Sequence, residues 1–180
     1  MREVQRPSVW GPAAWRVLHA AAEASDAAAD GGALVRRAVD AMARELPCVH
    51  CRTSLADFWA LELGIPSASW AERVYHLHNR VNDKLDAQAL LARADAATKA
   101  RALAAGAARG KRLTFEQVQS RARAERARGR PPVAPWEARV MLDAIGDPDS
   151  ELAAVVRAVT GLASSASAPP VGRAVTDAAP

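Results

Sequence analysis

Residues 70–85 read WAERVYHLHNRVNDKL, and this stretch carries the clearest helical pattern in the chain. Its apolar residues recur every three to four positions, so they would lie along one side of a helix. They are Trp70, Val74, Leu77, Val81 and Leu85. The pattern predicts an amphipathic helix that begins after Ser67 or Ser69 and buries this stripe in a helical core.

Three earlier segments also have helical spacing. The first follows Gly11-Pro12, the second runs to a break at Pro47, and the third begins at Cys48 and ends near Gly64. Their expected inward-facing residues are Trp15, Leu18, His19, Val35, Val39, Met42, Leu46, Leu55, Phe58 and Trp59. Alanine is abundant and no alternating β-branched run occurs. Because the connections are short, we predict an all-α fold built on an antiparallel four-helix bundle.

The second half of the chain gives weaker signals. Thr114 and Gln117 fit a capping box at the start of a short fifth helix. Two further helices are expected around Trp136 to Ile145 and Glu151 to Val159. The predicted parts are, in order, a domain at 1–122 with an insertion at about 87–112, a basic proline-rich linker at 123–135, a C-terminal helical extension at 136–163 and a disordered tail at 164–180.

The formal net charge of +4 is concentrated in the middle of the chain, between Lys99 and Arg130. Such a stretch can bind nucleic acid, but it lacks aromatic interleaving beyond Phe115, so we interpret it as a solvated helix or mobile insertion and expect no nucleic-acid partner. No run approaches the roughly 20 apolar residues of a membrane span, and the N-terminus lacks the apolar core of a secretory signal. We therefore expect no membrane association and a cytoplasmic protein.

The two cysteines of the chain, Cys48 and Cys51, are three positions apart and directly follow Pro47. This placement predicts that both sulfurs lie in the first turn of a helix. Unsatisfied backbone N–H groups and the positive end of the helix dipole favour a thiolate there. A thiol with a lowered pKa is what a redox-active pair requires, because the thiolate is the attacking form.

The same C-x-x-C spacing also occurs in zinc sites and in thioredoxin-like domains. His76 and His78 are about 200° apart around a helix, so they would not both face one metal. His50 lies between the cysteines and would point away from at least one of them. The βαβ pattern of a thioredoxin-like domain is absent. A zinc- or partner-binding helical module with a non-redox C-x-x-C remains the alternative, although we assign no metal ligands.

Polar side chains form a strip beside the apolar stripe of the 70–85 helix. His78 and Asn82 are four residues apart, and Asn79 and Asn82 are three apart. Imidazole and amide groups at the edge of a core need partners, and no charged partner is evident in the sequence. Helix capping or polar contacts between helices would explain any one of them, but together they indicate a polar ligand.

Three short motifs follow one another in the chain. They are Gly11-x-x-x-Trp15-x-x-Leu18-His19, Pro47-Cys48-x-x-Cys51, and His78-Asn79-x-Val81-Asn82-x-Lys84-Leu85. In order and spacing they resemble the Erv/ALR family of FAD-linked sulfhydryl oxidases, over roughly Val9 to Leu85 with a weaker echo at Phe115 to Arg121. The opening Trp10-Gly11-Pro12 is more similar to the compact members encoded by large DNA viruses than to the mitochondrial ones.

The resemblance implies that FAD lies inside the helical bundle. The residues implied to bind it are Gly11, Trp15 and His19 on one side, and His78, Asn79, Val81, Asn82, Lys84 and Leu85 on the other. Aromatic and imidazole rings would stack on adenine, asparagines would bond ring or ribose atoms, and Lys84 would neutralise the pyrophosphate. By the same resemblance, Cys51 lies beside the flavin and Cys48 exchanges with the substrate thiol.

The implied activity is a thiol oxidase that forms disulfides in protein substrates and passes the electrons through FAD to molecular oxygen, giving hydrogen peroxide. A homodimer is implied, and the helices from Trp136 onward would form or cap its interface. A disulfide-forming catalyst in the cytoplasm opposes the reducing glutathione pool, so a viral assembly site or the virion is the setting that the resemblance suggests.

The chain also departs from the family pattern. Asp86-Ala87-Gln88 replaces the usual Gly-Lys-Pro, and Ala122 replaces an expected aromatic residue, so the adenine and phosphate end of the cofactor would be held differently. There is no third cysteine for a shuttle disulfide, so substrate thiols would have to reach Cys48 directly.

Overall fold

The computed structural model describes residues 6–93 and 112–162. Every regular element among these residues is an α-helix, which confirms the predicted all-α class. The helices are α1 (Pro7–Ala28), α2 (Ala33–Glu45), α3 (Val49–Leu63), α4 (Trp70–Arg93), α5 (Phe115–Ala127), α6 (Pro135–Ile145) and α7 (Glu151–Thr160). No helix in the described ranges is long and apolar enough to cross a membrane.

The first four helices pack in a closed order. α1 contacts α2 and α4, and α3 contacts the same two helices from the other side. The core between them contains the predicted apolar residues of α2, together with Leu18 of α1, Leu55 and Trp59 of α3, and Val74 and Leu77 of α4. The apolar stripe of α4 is not buried throughout, because Leu85 at its far end is 53% exposed.

α1 begins five residues earlier than the sequence pattern predicts. Its first residue is Pro7, and Pro12 lies inside the helix. A proline at that position removes the backbone hydrogen bond to Ser8, four residues earlier. The longer helix persists because Trp10, Ala13 and Ala14 are buried on its inner side, and this burial outweighs the loss of one hydrogen bond.

The start of α4 is fixed by contacts with two other segments. Asp26 near the end of α1 accepts hydrogen bonds from the backbone N–H groups of Trp70 and Ala71, at 2.8 and 3.0 Å, and so caps α4 from a neighbouring helix. The Trp70 ring packs against Gly32, where a Cβ atom would lie 2.3 Å from the indole. Gly32 also has a positive φ of 83°, which favours glycine.

The last two helices belong to the same core as the first four. α6 packs on α1 and α7, and α7 packs on α2 and α1. Met141 of α6 and Leu152, Val155 and Val156 of α7 are fully buried. The helical extension predicted at 136–163 therefore covers α1 and α2 within the chain.

The predicted linker and insertion are more helical than expected. α5 has the predicted Thr114–Gln117 capping box and continues to Ala127, into the segment assigned to the linker, because its Ala, Arg and Glu residues favour a helix. α4 likewise continues through residues 87–93. The rest of the predicted insertion up to residue 111 and the predicted tail at 164–180 lie outside the described residues.

Candidate functional site

A cleft of about 850 Å³ lies between α1, α4 and α5. Ligand sites in proteins commonly have volumes of about 300–1,000 Å³, so the cleft has room for a ligand larger than a single ring system. α1 contributes Gly11, Trp15 and His19, and α4 contributes His78, Asn82 and Leu85. Six of the nine residues that the resemblance assigns to a cofactor thus line one cleft.

An aromatic stack forms the wall between α1 and α4. The rings of Trp15 and His78 lie 4.1 Å apart between centroids and are nearly parallel, with an interplanar angle of 12°. Nε2 of His19 lies 3.2 Å from Nδ1 of His78, within hydrogen-bonding distance. Trp15 and His19 are four residues apart on α1, so they lie on the same side of that helix and both contact His78 of α4.

Both imidazoles are held in the neutral form. Burial, aided by the nearby Arg16, lowers the pKa of His19 to about 4. Burial, followed by the influence of His19 and Arg112, lowers the pKa of His78 to about 4. One ring must donate and the other accept in their shared hydrogen bond, which a neutral pair allows and a doubly protonated pair does not. The pair offers polar, uncharged surface to a ligand ring.

The opposite wall of the cleft is α5, none of whose residues is buried. Phe115, Val118 and Ala122 line the cleft at spacings of three and four residues. The hydroxyl of Tyr75 donates a 2.7 Å hydrogen bond to the carbonyl of Leu113, and the Tyr75 and Phe115 rings are 5.6 Å apart. The apolar face of α5 is therefore only half-buried, with Phe115 against Tyr75 and the rest of the face bordering the cleft.

The cysteines lie at the start of α3, as predicted. Cys48 is the N-cap residue of the helix and forms a disulfide with Cys51, the third helical residue, across a Cα–Cα distance of 5.2 Å. The backbone N–H of Cys51 also donates a 3.2 Å hydrogen bond to Sγ of Cys48. The sulfur of Cys48 thus takes the place of a capping oxygen, where it would be stabilised as a thiolate.

Neither cysteine lines the described part of the cleft. The connection between them is the packing of α3 on α4, where Nζ of Lys84 donates a hydrogen bond to Oγ of Ser54, one turn after Cys51. Leu85, next to Lys84, lines the cleft. α3, the helix that carries the disulfide, therefore packs on α4 beside the Leu85 end of the cleft.

Three of the implied cofactor residues lie elsewhere. Asn79 lines a second cleft, beside Arg112, which donates a 3.0 Å hydrogen bond to the Asn79 carbonyl. Lys84 points at α3, and Val81 is half-buried without lining the main cleft. Helical geometry contributes to this, since positions 78, 82 and 85 share one side of α4, positions 79 and 81 flank that side, and position 84 lies further round the helix.

Several lining residues were not singled out from the sequence. They are Tyr75, Arg16 and Arg126, whereas Val118 and Arg121, which also line the cleft, belong to the weaker motif echo at Phe115 to Arg121. The spacing of Phe115, Val118 and Ala122 is the apolar signal that could have identified this face of α5.

The described part of the chain contains no cluster of side chains that would support the metal-binding alternative. Among residues 6–93 and 112–162, no three His, Cys, Asp or Glu side chains lie close enough together to hold a metal ion.

Comparisons of the chain with family profiles, with curated proteins and with solved structures find no match.

Proposed function

We propose that the protein is an FAD-dependent thiol oxidase that forms disulfide bonds in protein substrates. The observation that carries the proposal is the combination of a disulfide at the N-terminus of α3 with a large aromatic cleft along α4, the helix on which α3 packs. In this proposal α1 to α4 form a four-helix bundle, and FAD is held between α1, α4 and α5. The resemblance of the three motifs to the Erv/ALR family supports the same assignment.

The thiol chemistry follows from the position of the two sulfurs. A substrate thiolate attacks Sγ of Cys48, which breaks the Cys48–Cys51 bond, forms a mixed disulfide and releases Cys51 as a thiolate. A second substrate thiolate then attacks the substrate sulfur and releases Cys48. The Cys51 N–H group and the α3 dipole stabilise the Cys48 thiolate as it leaves. The substrate gains a disulfide, and the two cysteines gain its electron pair.

The cleft residues fit a flavin dinucleotide. Trp15 and the neutral His78 offer ring surfaces for stacking, Asn82 offers an amide, and α5 offers an apolar face opposite them. When bound, FAD would supply the two-electron acceptor that reoxidises the cysteine pair and passes the electrons to oxygen, giving hydrogen peroxide. Asn79, Val81 and Lys84 do not line the cleft, so in this proposal they would act on the cofactor only from outside it.

Substrate access depends on the surface around Cys48. The chain has two cysteines, so no third one can relay electrons to the pair. Val49 and His50, between the cysteines, are exposed and would meet an incoming polypeptide first. We therefore propose that cysteine-containing protein segments reach Cys48 directly.

Two further parts of the proposal rest on the resemblance. One is a homodimer, which light scattering of the purified protein would test. The other is action in the cytoplasm, at a viral assembly site or in the virion, which localisation of the tagged protein in its host would test.

Purification tests the proposal. We expect a yellow protein with about one flavin per chain that consumes oxygen when a dithiol is added and releases hydrogen peroxide. A colourless protein that contains zinc and does not oxidise thiols would overturn the oxidase and support the zinc- or partner-binding module instead.

A further inference from the structure

The arginine that directly follows the disulfide is held in place by the neighbouring helix. The backbone N–H of Arg52 donates a 3.0 Å hydrogen bond to the carbonyl of Cys48. Nη1 of the same residue donates a 3.1 Å hydrogen bond to the carbonyl of Arg44, in the last turn of α2. The Arg52 side chain therefore extends from the start of α3 to the end of α2, the two elements whose connection carries Cys48.

The guanidinium group of Arg52 is open to a ligand. It has five N–H donors, and the Arg44 carbonyl accepts a hydrogen bond from one of its three nitrogens. Within the described ranges Arg52 forms no ion pair with a carboxylate, and its contact with Arg44 lies at the solvent-exposed surface. A guanidinium group that is fixed by one contact and keeps its other donors free is preorganised to bind a carboxylate through two hydrogen bonds.

The carboxylates that come closest to Arg52 along α2 and α3 are engaged or directed elsewhere. Glu45 accepts a 2.8 Å hydrogen bond from the N–H of Leu152 and so caps α7. Asp57 is the first acidic residue of α3, and it lies about 140° further round that helix than position 52. Asp40 lies one turn further back along α2 than Arg44. The surface beside the disulfide is therefore positively charged and attracts acidic polypeptides.

A substrate thiol must approach Cys48 past this arginine. Residues four apart lie on the same side of a helix, and helical side chains lean toward the helix N-terminus, which places Arg52 beside Cys48. An extended polypeptide advances about 3.3 Å per residue and a helical turn rises about 5.4 Å. A carboxylate within about three residues of the substrate cysteine would therefore come within reach of the guanidinium group.

We infer that Arg52 binds a carboxylate next to the substrate cysteine, so that the protein oxidises cysteine pairs in acidic polypeptide segments in preference to those in basic segments. This inference rests on the proposed function, because it names the substrate class of the same cysteine pair. Cys48 exchanges with the substrate thiol, and Arg52 selects the segment that carries it.

Oxygen consumption with defined thiol substrates tests the inference. The substrates are three reduced peptides of equal length, in which two cysteines are flanked by glutamates, by glutamines or by lysines, together with uncharged dithiothreitol. In the unmodified protein kcat/KM should fall in that order of peptides, by about fivefold or more from the glutamate to the lysine peptide. Added salt should reduce this ratio, because screening weakens an exposed ion pair.

Substitution of Arg52 should change the preference among the peptides. Arg52→Gln should remove most of the ratio between the glutamate and lysine peptides, and Arg52→Glu should reverse it. Arg123→Gln is the matched control, because it removes the same charge from α5 at a residue beside Asp26, which caps the start of α4. It should keep the preference of the unmodified protein.

The outcomes separate the inference from the proposed function. Equal kcat/KM for the three peptides in an unmodified protein that oxidises dithiothreitol would overturn the inference and leave the oxidase intact, and this comparison needs no variant. An equal loss by Arg52→Gln on dithiothreitol and on the glutamate peptide would also overturn it, because the arginine would then act on the cysteine pair rather than on the substrate. An unmodified protein that oxidises no thiol would overturn the proposed function and the inference with it.

Discussion

His19 and His78 lie within hydrogen-bonding distance of each other, with 3.2 Å between Nε2 of the first and Nδ1 of the second. His19 belongs to α1 and His78 to α4, so this contact joins the two helices that form the wall of the cleft opposite α5. Both rings are neutral near pH 7, since burial lowers the pKa of each to about 4. The contact and the protonation state depend on each other, because two imidazolium groups would repel.

This relationship predicts that stability falls on acidification. The unfolded histidines have a pKa near 6.5 and the folded ones near 4, so the unfolded chain binds more protons between these values. The stabilisation is complete above about pH 6.5 and is lost as the pH falls toward 4, by roughly 3 kcal/mol for each histidine and by less than twice that for the interacting pair. Urea denaturation between pH 7 and pH 4.5 measures it. His78→Gln should flatten this dependence, whereas His76→Gln, at an exposed position of α4, should not.

The aromatic stack should determine how tightly flavin is held. Trp15→Ala or His78→Ala removes one ring of the stacked pair. Because the flavin would lose both a stacking partner and buried apolar area, we expect its dissociation constant to rise by about tenfold. Fluorescence of released flavin after dilution measures this. Trp136→Ala is the control, because that indole is 67% exposed. Equal retention by Trp15→Ala and Trp136→Ala would argue against stacking.

Gly32 should be sensitive to substitution because of Trp70. Gly32→Ala adds a Cβ atom to a residue at positive φ and places it against the indole, so we expect a loss of about 2–4 kcal/mol in the free energy of unfolding. Gly31→Ala has a similar φ of 67° but open space around its Cβ, and should cost about 1–2 kcal/mol. Similar losses in the two variants would show that the Trp70 contact is unimportant.

The protection of the α5 backbone amides from hydrogen exchange should depend on the bound ligand. α5 buries none of its residues, and the face with Phe115 and Val118 borders the cleft. Its backbone amides should therefore exchange hydrogen faster than those of α1 in the flavin-free protein and become protected when flavin fills the cleft. Exchange followed by mass spectrometry measures both states. Identical exchange of α5 with and without flavin would indicate that the ligand lies elsewhere.

The helices could be predicted where one local pattern determined burial. The α2 residues Val35, Val39 and Met42 were assigned to the core from their spacing and are buried. The start of α1 was predicted too late because Pro12 was taken as its first turn. Local helix rules do not include the burial of Trp10 on the preceding turn, which extends the helix back to Pro7. The spacing on α4 likewise could not show that the apolar stripe stops being buried before Leu85, since that depends on where α3 and α5 lie.

The candidate site could be predicted only in part for the same reason. Trp15, His19 and His78 are close because α1 and α4 are neighbours, and the motif order pointed to all three. The position of Lys84 depends on a contact with Ser54 on another helix. Arg126 of α5 joins the cleft through tertiary placement of a helix whose own sequence has a weak apolar face, so no local pattern identified it.

The central claim is that the Cys48–Cys51 pair supplies electrons to flavin bound in the cleft, and anaerobic reduction tests it most directly. When a dithiol is added to the purified protein without oxygen, the visible absorption of bound flavin should disappear, and it should return when oxygen is admitted. Cys51→Ser should keep its flavin but show no rapid loss of absorption, while Ser54→Ala, one turn away, should behave like the unmodified protein. Rapid flavin reduction in Cys51→Ser would contradict the account.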